Sequence, residues 1–300
     1  MIILLFLALC LSTPLPNSLL INTSATSSVF HEKCLQILPK KSQHLASLAS
    51  LVCGEKITDQ ELKKNLSKTS LIHIFVVSGS HLILLDELLG ILRIPVLVRF
   101  LFLGGYSLAV GWQAPAVRAL LGFSTRELLH QRRVYLPNDL AVLATGFLTL
   151  ILFPSWWDSL SLQMSWCAAL ALSWSSILRV KNTFARTVLS QLAIFFFMSA
   201  PLWGLGSLHP LSILYNLFLA PLIAYLLLPL SFLAVVLSPF LFLFDRVMNF
   251  FMQVLPALSE PIEIVKGSTP STAFLWMWIL IWHVFFHYLR LRLWQGKDSP

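Results

Sequence analysis

The chain has 300 residues, of which 57% are hydrophobic and 11% charged, against about 25% charged in soluble domains. A chain this apolar cannot cover its own surface in water, which excludes a soluble globular domain and makes the hydrocarbon-crossing helix of about 20 residues the natural unit. The formal charge of +8, from 21 Lys and Arg against 13 Asp and Glu, fits basic cytoplasmic loops as well as a polyanionic ligand.

Residues 1–13 carry a short apolar run with no Lys or Arg before it, so they read as a hydrophobic anchor or a signal-like segment. Residues 14–70 are the long polar region, expected outside the cytoplasm, and their second half, from about Leu45 to Leu66, is expected to form amphipathic helix against the bilayer. Thr58 with Glu61 fits a capping box opening the run DQELKKNL. Cys34 and Cys53 both lie in this region and are candidates for a disulfide if it faces an oxidising compartment. Cys10 and Cys167 sit in apolar runs and read as packing residues, and no zinc-type Cys/His spacing occurs.

Apolar runs follow at 71–92, 94–111, 114–130, 138–153, 159–178, 186–205, 209–227, 229–244 and 272–291. With the N-terminal segment they predict an all-α polytopic membrane protein of about ten transmembrane or partly inserted helices, several broken by Pro or Gly. Gly104-Gly105, Gly111, Pro210, Pro221, Pro229 and Pro239 are the candidate breaks or kinks. Residues 245–271 mix Asp245, Arg246, Glu260, Glu263 and Lys266 with apolar residues and read as an interfacial stretch and loop. Basic residues at Arg93, at Arg126, Arg132 and Arg133, at Arg179, Lys181 and Arg186, and at Arg290, Arg292 and Lys297 fall on one side of this topology. The positive-inside rule places that side, and the 292–300 tail, in the cytoplasm. Trp156 and Trp157 on an opposite loop suit an interfacial aromatic belt.

Polar residues inside the spans are the candidates for function, because lipid penalises them. The densest run is His73-Ile-Phe-Val-Val-Ser78-Gly79-Ser80-His81; on a continuous helix His73, Ser78 and His81 fall within about 140° of one another. Asp86 and Glu87 follow in the same span. The two histidines are ~12 Å apart along such a helix without a third ligand, so no metal is expected. Ser78 and His81 lack a GxSxG elbow, so no catalytic residue is assigned. A polar packing seam or a pore lining accounts for the run most simply, with Gly79 permitting close helix approach. Arg118, a turn into its span, either snorkels to the interface or faces an aqueous path suited to transient phosphate contacts. Gln163 and Ser165 lie near the outer end of another span, Asn138-Asp139 reads as a helix N-cap, and Asn216 stands in a Pro-flanked span.

The order HIFVVSGSH, PAVRA, NDLAVLATGFLTLILFPSWWDSLSLQMSWCAALA and HPLSILYNLFLAPL resembles the membrane domain of ComEC-type competence proteins over roughly residues 45–240. The family pattern has a histidine followed by Ala-Val/Ile-Ser-Gly-Leu-His, then Pro-x-x-Arg-Ala, then Asp-x-Leu and Phe-Gln-Leu-Ser-Phe, then Asn-Leu with a later Pro. The resemblance implies a channel passing single-stranded DNA across the bacterial inner membrane during natural transformation. A DNA receptor, a helicase, a separate nuclease and the bilayer are the implied partners, with a homo-oligomer also open, and no cofactor is implied. The matched positions are His73, Ser78, Gly79, His81, Pro115, Arg118, Gln163, Ser165 and Asn216, with channel-shaping and packing roles rather than bond-breaking ones. The sequence departs from the pattern at Ser80, Met164 and Trp166. Residues 14–70 are too short for the oligonucleotide-binding barrel of many members, and no His-x-His-x-Asp-His motif of their nuclease domain occurs. The chain is therefore expected not to degrade DNA itself. Another cargo, a paralogue without transport, and an intramembrane hydrolase using Ser78 and His81 stay open as alternatives.

Overall fold

The computed structural model of the chain describes residues 18–75, 78–177, 182–203, 209–262, 268 and 270–295. The expected N-terminal anchor at 1–13, Cys10, Arg179, Lys181, Glu263, Lys266 and the last residues of the tail lie outside them. Among the described residues every regular element is helical. The polar region holds α1 (Ser18–Ile37), α2 (Leu45–Val52) and α3 (Gln60–Lys68). Then come α4 (Ile72–Phe75), α5 (Gly79–Ile91), α6 (Val96–Ala109), α7 (Ala114–Gln131), α8 (Asn138–Leu152), α9 (Leu160–Ile177) and α10 (Thr183–Trp203). The last are α11 (Leu211–Leu222), α12 (Leu228–Val236), α13 (Ser238–Ser259) and α14 (Thr272–Gln295). By length and composition the helices Thr183–Trp203, Leu211–Val236, Ser238–Ser259 and Thr272–Arg292 can each cross a membrane, and α6 and α8 are shorter apolar helices.

Three sequence expectations are corrected here. The span 71–92 is not one helix: Ser78 has extended backbone (φ −136°, ψ 177°) as the N-cap of α5, so the helical phase relating His73 to His81 is lost. The spans 209–227 and 229–244 are replaced by one helix from Leu211 to Val236 and a second from Ser238 to Ser259. Pro221 and Pro229 do not end the first of these: a single wide π-turn at Ile223–Leu227 lies between them and the helix runs on; the break comes at Pro239, which fits the first turn of α13. Finally, Asp59 rather than Thr58 caps α3, its carboxylate accepting the backbone N–H groups of Glu61 and Leu62. A carboxylate is the stronger acceptor and adds favourable charge at a helix N-terminus.

Apolar packing forms three clusters. Residues 38–75 pack with the π-turn, α12 and one face of α13, where Phe244, Met248, Phe251 and Leu255 recur at helical spacing. The other face of α13 exposes Phe242, Leu243 and Phe250. Its contacts run along the polar region: Asp245 accepts Ser42 Oγ (2.7 Å) and Asn249 meets His44 (2.9 Å), while Lys68 reaches the carbonyl of Ser259 (3.3 Å). The second cluster joins α8, α9, α10 and α14, and the third joins α5, α6 and α7.

Helix α1 is fastened to the rest by three kinds of bond. Cys34 and Cys53 form a disulfide. Ser27 Oγ donates to the carbonyl of Leu108 (2.8 Å), and His31 bridges the carbonyl of Ala109 and the carboxylate of Glu55 at 3.0 Å each. The hydrogen bond from His31 holds the Glu55 carboxyl below its ordinary range. Gly54 is needed beside this joint: its φ is +72°, and a Cβ there would lie 3.1 Å from the carbonyl of Val110.

The bundle has two unlike ends. At one, the α5–α6 and α7–α8 turns place Arg93, Arg132 and Arg133, and Arg290 of α14 reaches Asp139 at the start of α8. At the other, aromatic rings meet in series: Trp112 edge-to-face with Phe153 (6.3 Å), Phe153 stacked on Trp156 (4.4 Å) and Trp157 stacked on Trp276 (4.7 Å).

Helices α8 and α9 approach closely at Gly146. A methyl group there would overlap the ring of Trp166, which is fully buried and donates Nε1–H to His283 Nε2 at 2.8 Å. Gly146→Ala is expected to destabilise the fold by about 3 kcal/mol, the upper end for overpacking, because neither the pinned ring nor the helix can yield. Unfolding in mixed micelles of dodecylmaltoside and SDS measures it. Gly105→Ala, in a helix interior where a methyl meets open space, is the control and is expected not to destabilise.

Candidate functional site

The sequence motifs converge where α5, α7 and α9 meet. Gly79 opens α5, and a Cβ on it would stand 3.1 Å from the carbonyl of Pro115, 3.3 Å from Ala119 Cβ and 3.6 Å from Ser165 Oγ. A small residue at this position lets α5 seat closely against α7. The start of α5 is held by His81, whose Nδ1 accepts the backbone N–H of Ser78 (3.2 Å) and lies 3.3 Å from Ser78 Oγ. With Nδ1 accepting, the ring proton sits on Nε2, which is buried and has no partner among the described residues.

Arg118 is the charged member of this group. It is 7% exposed, and its Nε donates to Ser165 Oγ at 2.9 Å. No described carboxylate pairs with it. Arg118 lies on the wall of a cavity of about 600 Å³, shared by α5 to α9 and the 134–138 turn. Along α7 the cavity wall continues from Arg118 through Phe123 and Arg126 to His130, so Arg118 is its deepest charge and the basic end of the bundle is its mouth. The walls between are mainly apolar, from residues such as Leu82, Leu120 and Val142.

An ion cluster stands between Arg118 and the mouth. Asp86, 6% exposed, takes Nε of Arg99 at 2.9 Å and a second, shorter contact from Arg99 Nη2 on one oxygen. Its other oxygen takes Nη2 of Arg126 at 2.8 Å. Both guanidinium groups lie over Phe123, at 5.4 and 5.8 Å from the ring centre.

The structure does not bring every candidate to this place. His73 is half-buried on α4 with Nδ1 unpartnered among the described residues, and it belongs with the residues 38–75 rather than with the cavity. Gln163 is buried and donates to the carbonyl of Trp157 at 3.2 Å, bracing the aromatic-end loop. Asn216 is buried on α11, its Oδ1 unpartnered among the described residues, and does not line the cavity. Asn138 does line it. Asp139 is not an N-cap: α8 opens after Pro137 without a side-chain cap, and Asp139 accepts from Arg290 Nη1 at 2.6 Å. The sequence signal for the Asp86–Arg99–Arg126 cluster was the cost of placing Asp86 and Arg99 inside apolar runs, but pairing across three helices has no local signature. No group of three or more metal-ligating side chains occurs among the described residues.

A family model for competence proteins matches residues 51–295. The chain belongs to the competence protein family. The matched region takes in α3 to α14, and with them Gly79, Arg118, Ser165 and the whole cavity, while α1 and Cys34 precede it. It supports the resemblance to the ComEC-type membrane domain. No curated protein and no solved structure matches the chain.

Proposed function

We propose that the chain forms the passage for single-stranded DNA across the bacterial cytoplasmic membrane, with Arg118 as its innermost phosphate contact. The observation that carries this reading is a buried arginine inside an apolar helix bundle, with no carboxylate partner among the described residues, facing a cavity. Such a charge is costly in lipid and marks an ion or substrate path. A guanidinium whose Nε is already fixed by Ser165 presents its remaining donors in the fork that suits a phosphodiester. Apolar walls between separated charges keep the contacts few at any moment, as conduction needs.

The positive-inside rule turns the mouth of the cavity, with Arg126 on its wall and Arg132 and Arg133 in the turn that follows α7, towards the cytoplasm. The aromatic end and the α1 joint then face outwards. Beyond Arg118 the packing of Gly79 on Pro115 and Ser165 is the constriction that must part for a strand to pass. The pull comes from a separate cytoplasmic helicase, and degradation of the other strand from a separate nuclease. A hydrolase reading of Ser78 and His81 is disfavoured by their contacts. His81 Nδ1 is occupied by a backbone donor, and no described residue orients the opposite nitrogen. An anionic cargo other than DNA would use the same site.

The test is import of labelled DNA into the cytoplasm of a deletion strain complemented with wild type, Arg118→Gln or Arg118→Lys, with surface binding scored separately. Arg118→Gln is expected to fall to the level of the deletion with binding intact, and Arg118→Lys to restore part of the import. Unchanged import in the deletion would set the DNA reading aside and leave another anionic cargo.

A further inference from the structure

Asp86 is a buried anion on the wall of the cavity. It is one carboxylate shared by two arginines, and the two are not held alike. Arg99 contacts it through two nitrogens and has a side chain only 15% exposed, whereas Arg126 contacts it through one nitrogen and is 63% exposed. Arg99 alone neutralises the buried carboxylate. Arg126 is therefore the partner that can leave without stranding a charge. Glu127, 3.8 Å away, is its other acidic neighbour, and Phe123 keeps its guanidinium at the cavity wall whichever acceptor it has. Arg126 and Arg118 stand on the same wall, eight residues and so ~12 Å apart along α7.

We propose that Asp86 is a built-in competitor for Arg126: a phosphodiester entering the vestibule takes Arg126 in exchange for Asp86, and Asp86 reclaims it when the phosphate moves on. The inference rests on the strand-passage reading and adds how the site avoids trapping its cargo. An arginine free of Asp86 would hold each phosphate in turn with its full charge-assisted bond. Against a resident carboxylate, the incoming phosphate gains only the difference between two such bonds, and release is correspondingly faster.

The experiment uses the full chain in lipid nanodiscs and a fluorescent oligothymidylate read by anisotropy. Asp86→Asn is expected to bind about fivefold more tightly, the weight of a half-exposed ion pair, and to release more slowly. Its salt dependence should steepen by about 0.7 in log–log slope, one further phosphate contact on a single strand. Arg126→Gln should weaken binding, and Asp86→Asn should have no effect in the Arg126→Gln background. Equal tightening in that background would mean a general charge effect and would overturn the exchange, as would unchanged or weaker binding in a folded Asp86→Asn.

Labelling of wild type with phenylglyoxal gives a readout free of any folding defect in Asp86→Asn. The oligonucleotide should protect Arg126 and leave Arg99 unaltered, and an unprotected Arg126 rules the exchange out. Discs with and without phosphatidylglycerol separate the two sources of phosphodiester. Protection by that lipid alone, with the oligonucleotide adding nothing, assigns the site to a headgroup and overturns the inference. Arg118-dependent binding with an inert Asp86→Asn defeats this inference only, whereas wild type that binds no oligonucleotide defeats the strand reading itself.

Discussion

Gly79→Val is expected to separate α5 from α7 and abolish import, while Gly79→Ala is expected to be nearly neutral. Two effects of opposite sign decide the difference. Alanine in the first turn of α5 gains up to about 1 kcal/mol of helix propensity over glycine. Its Cβ arrives 3.1 Å from the Pro115 carbonyl and 3.3 Å from Ala119 Cβ, so the helices must give by tenths of an ångström, at a cost of similar size. Valine adds two further methyl groups to a carbon that already stands 3.1 to 3.6 Å from Pro115, Ala119 and Ser165, so α5 must lift off α7 at about 3 kcal/mol or more. The Arg118–Ser165 bond then lies next to displaced groups. Unfolding midpoints in mixed micelles, together with import, measure both variants. A valine variant with the wild-type midpoint would show that the close approach at Gly79 is not what joins these helices.

Much of this arrangement is legible in the sequence, and the rest fails for identifiable reasons. Helices α6 to α10 and α14 announce themselves as apolar runs, and their ends agree to within a few residues because lipid and charge set them. Gly79, Pro115, Arg118 and Ser165 stand out as polar or small residues in apolar surroundings, and they meet in space. The break at Ser78 was hidden because Val76, Val77 and Ser78 continue an apolar run with no proline; only the His81 contacts to Ser78 reveal an N-terminus there. The opposite error occurs at Pro221 and Pro229, where a proline reads as a stop but a π-turn carries the helix through. Asp139 looked like a cap because an acidic residue after Pro137 opens many helices, and nothing local points to a partner 151 residues away. Long-range ion pairs in this molecule are where single-sequence reasoning runs out.

That last pair carries the second large prediction. Asp139 is almost wholly buried, and Arg290 reaches it from α14 with a side chain 13% exposed, so the bond ties the final helix to the start of α8. Arg290→Met is expected to destabilise the fold by about 3–5 kcal/mol, because it leaves a carboxylate in low dielectric without a counter-charge. Asp139→Leu combined with Arg290→Met should recover most of the loss, since an apolar pair of similar volume avoids the desolvation that the ion pair must overcome. Equilibrium unfolding of the two single variants and the double closes the cycle. Additive losses would mean that the two residues act separately. A strong rescue would mean that the salt bridge gives register, fixing which turn of α14 meets α8, more than it gives net stability.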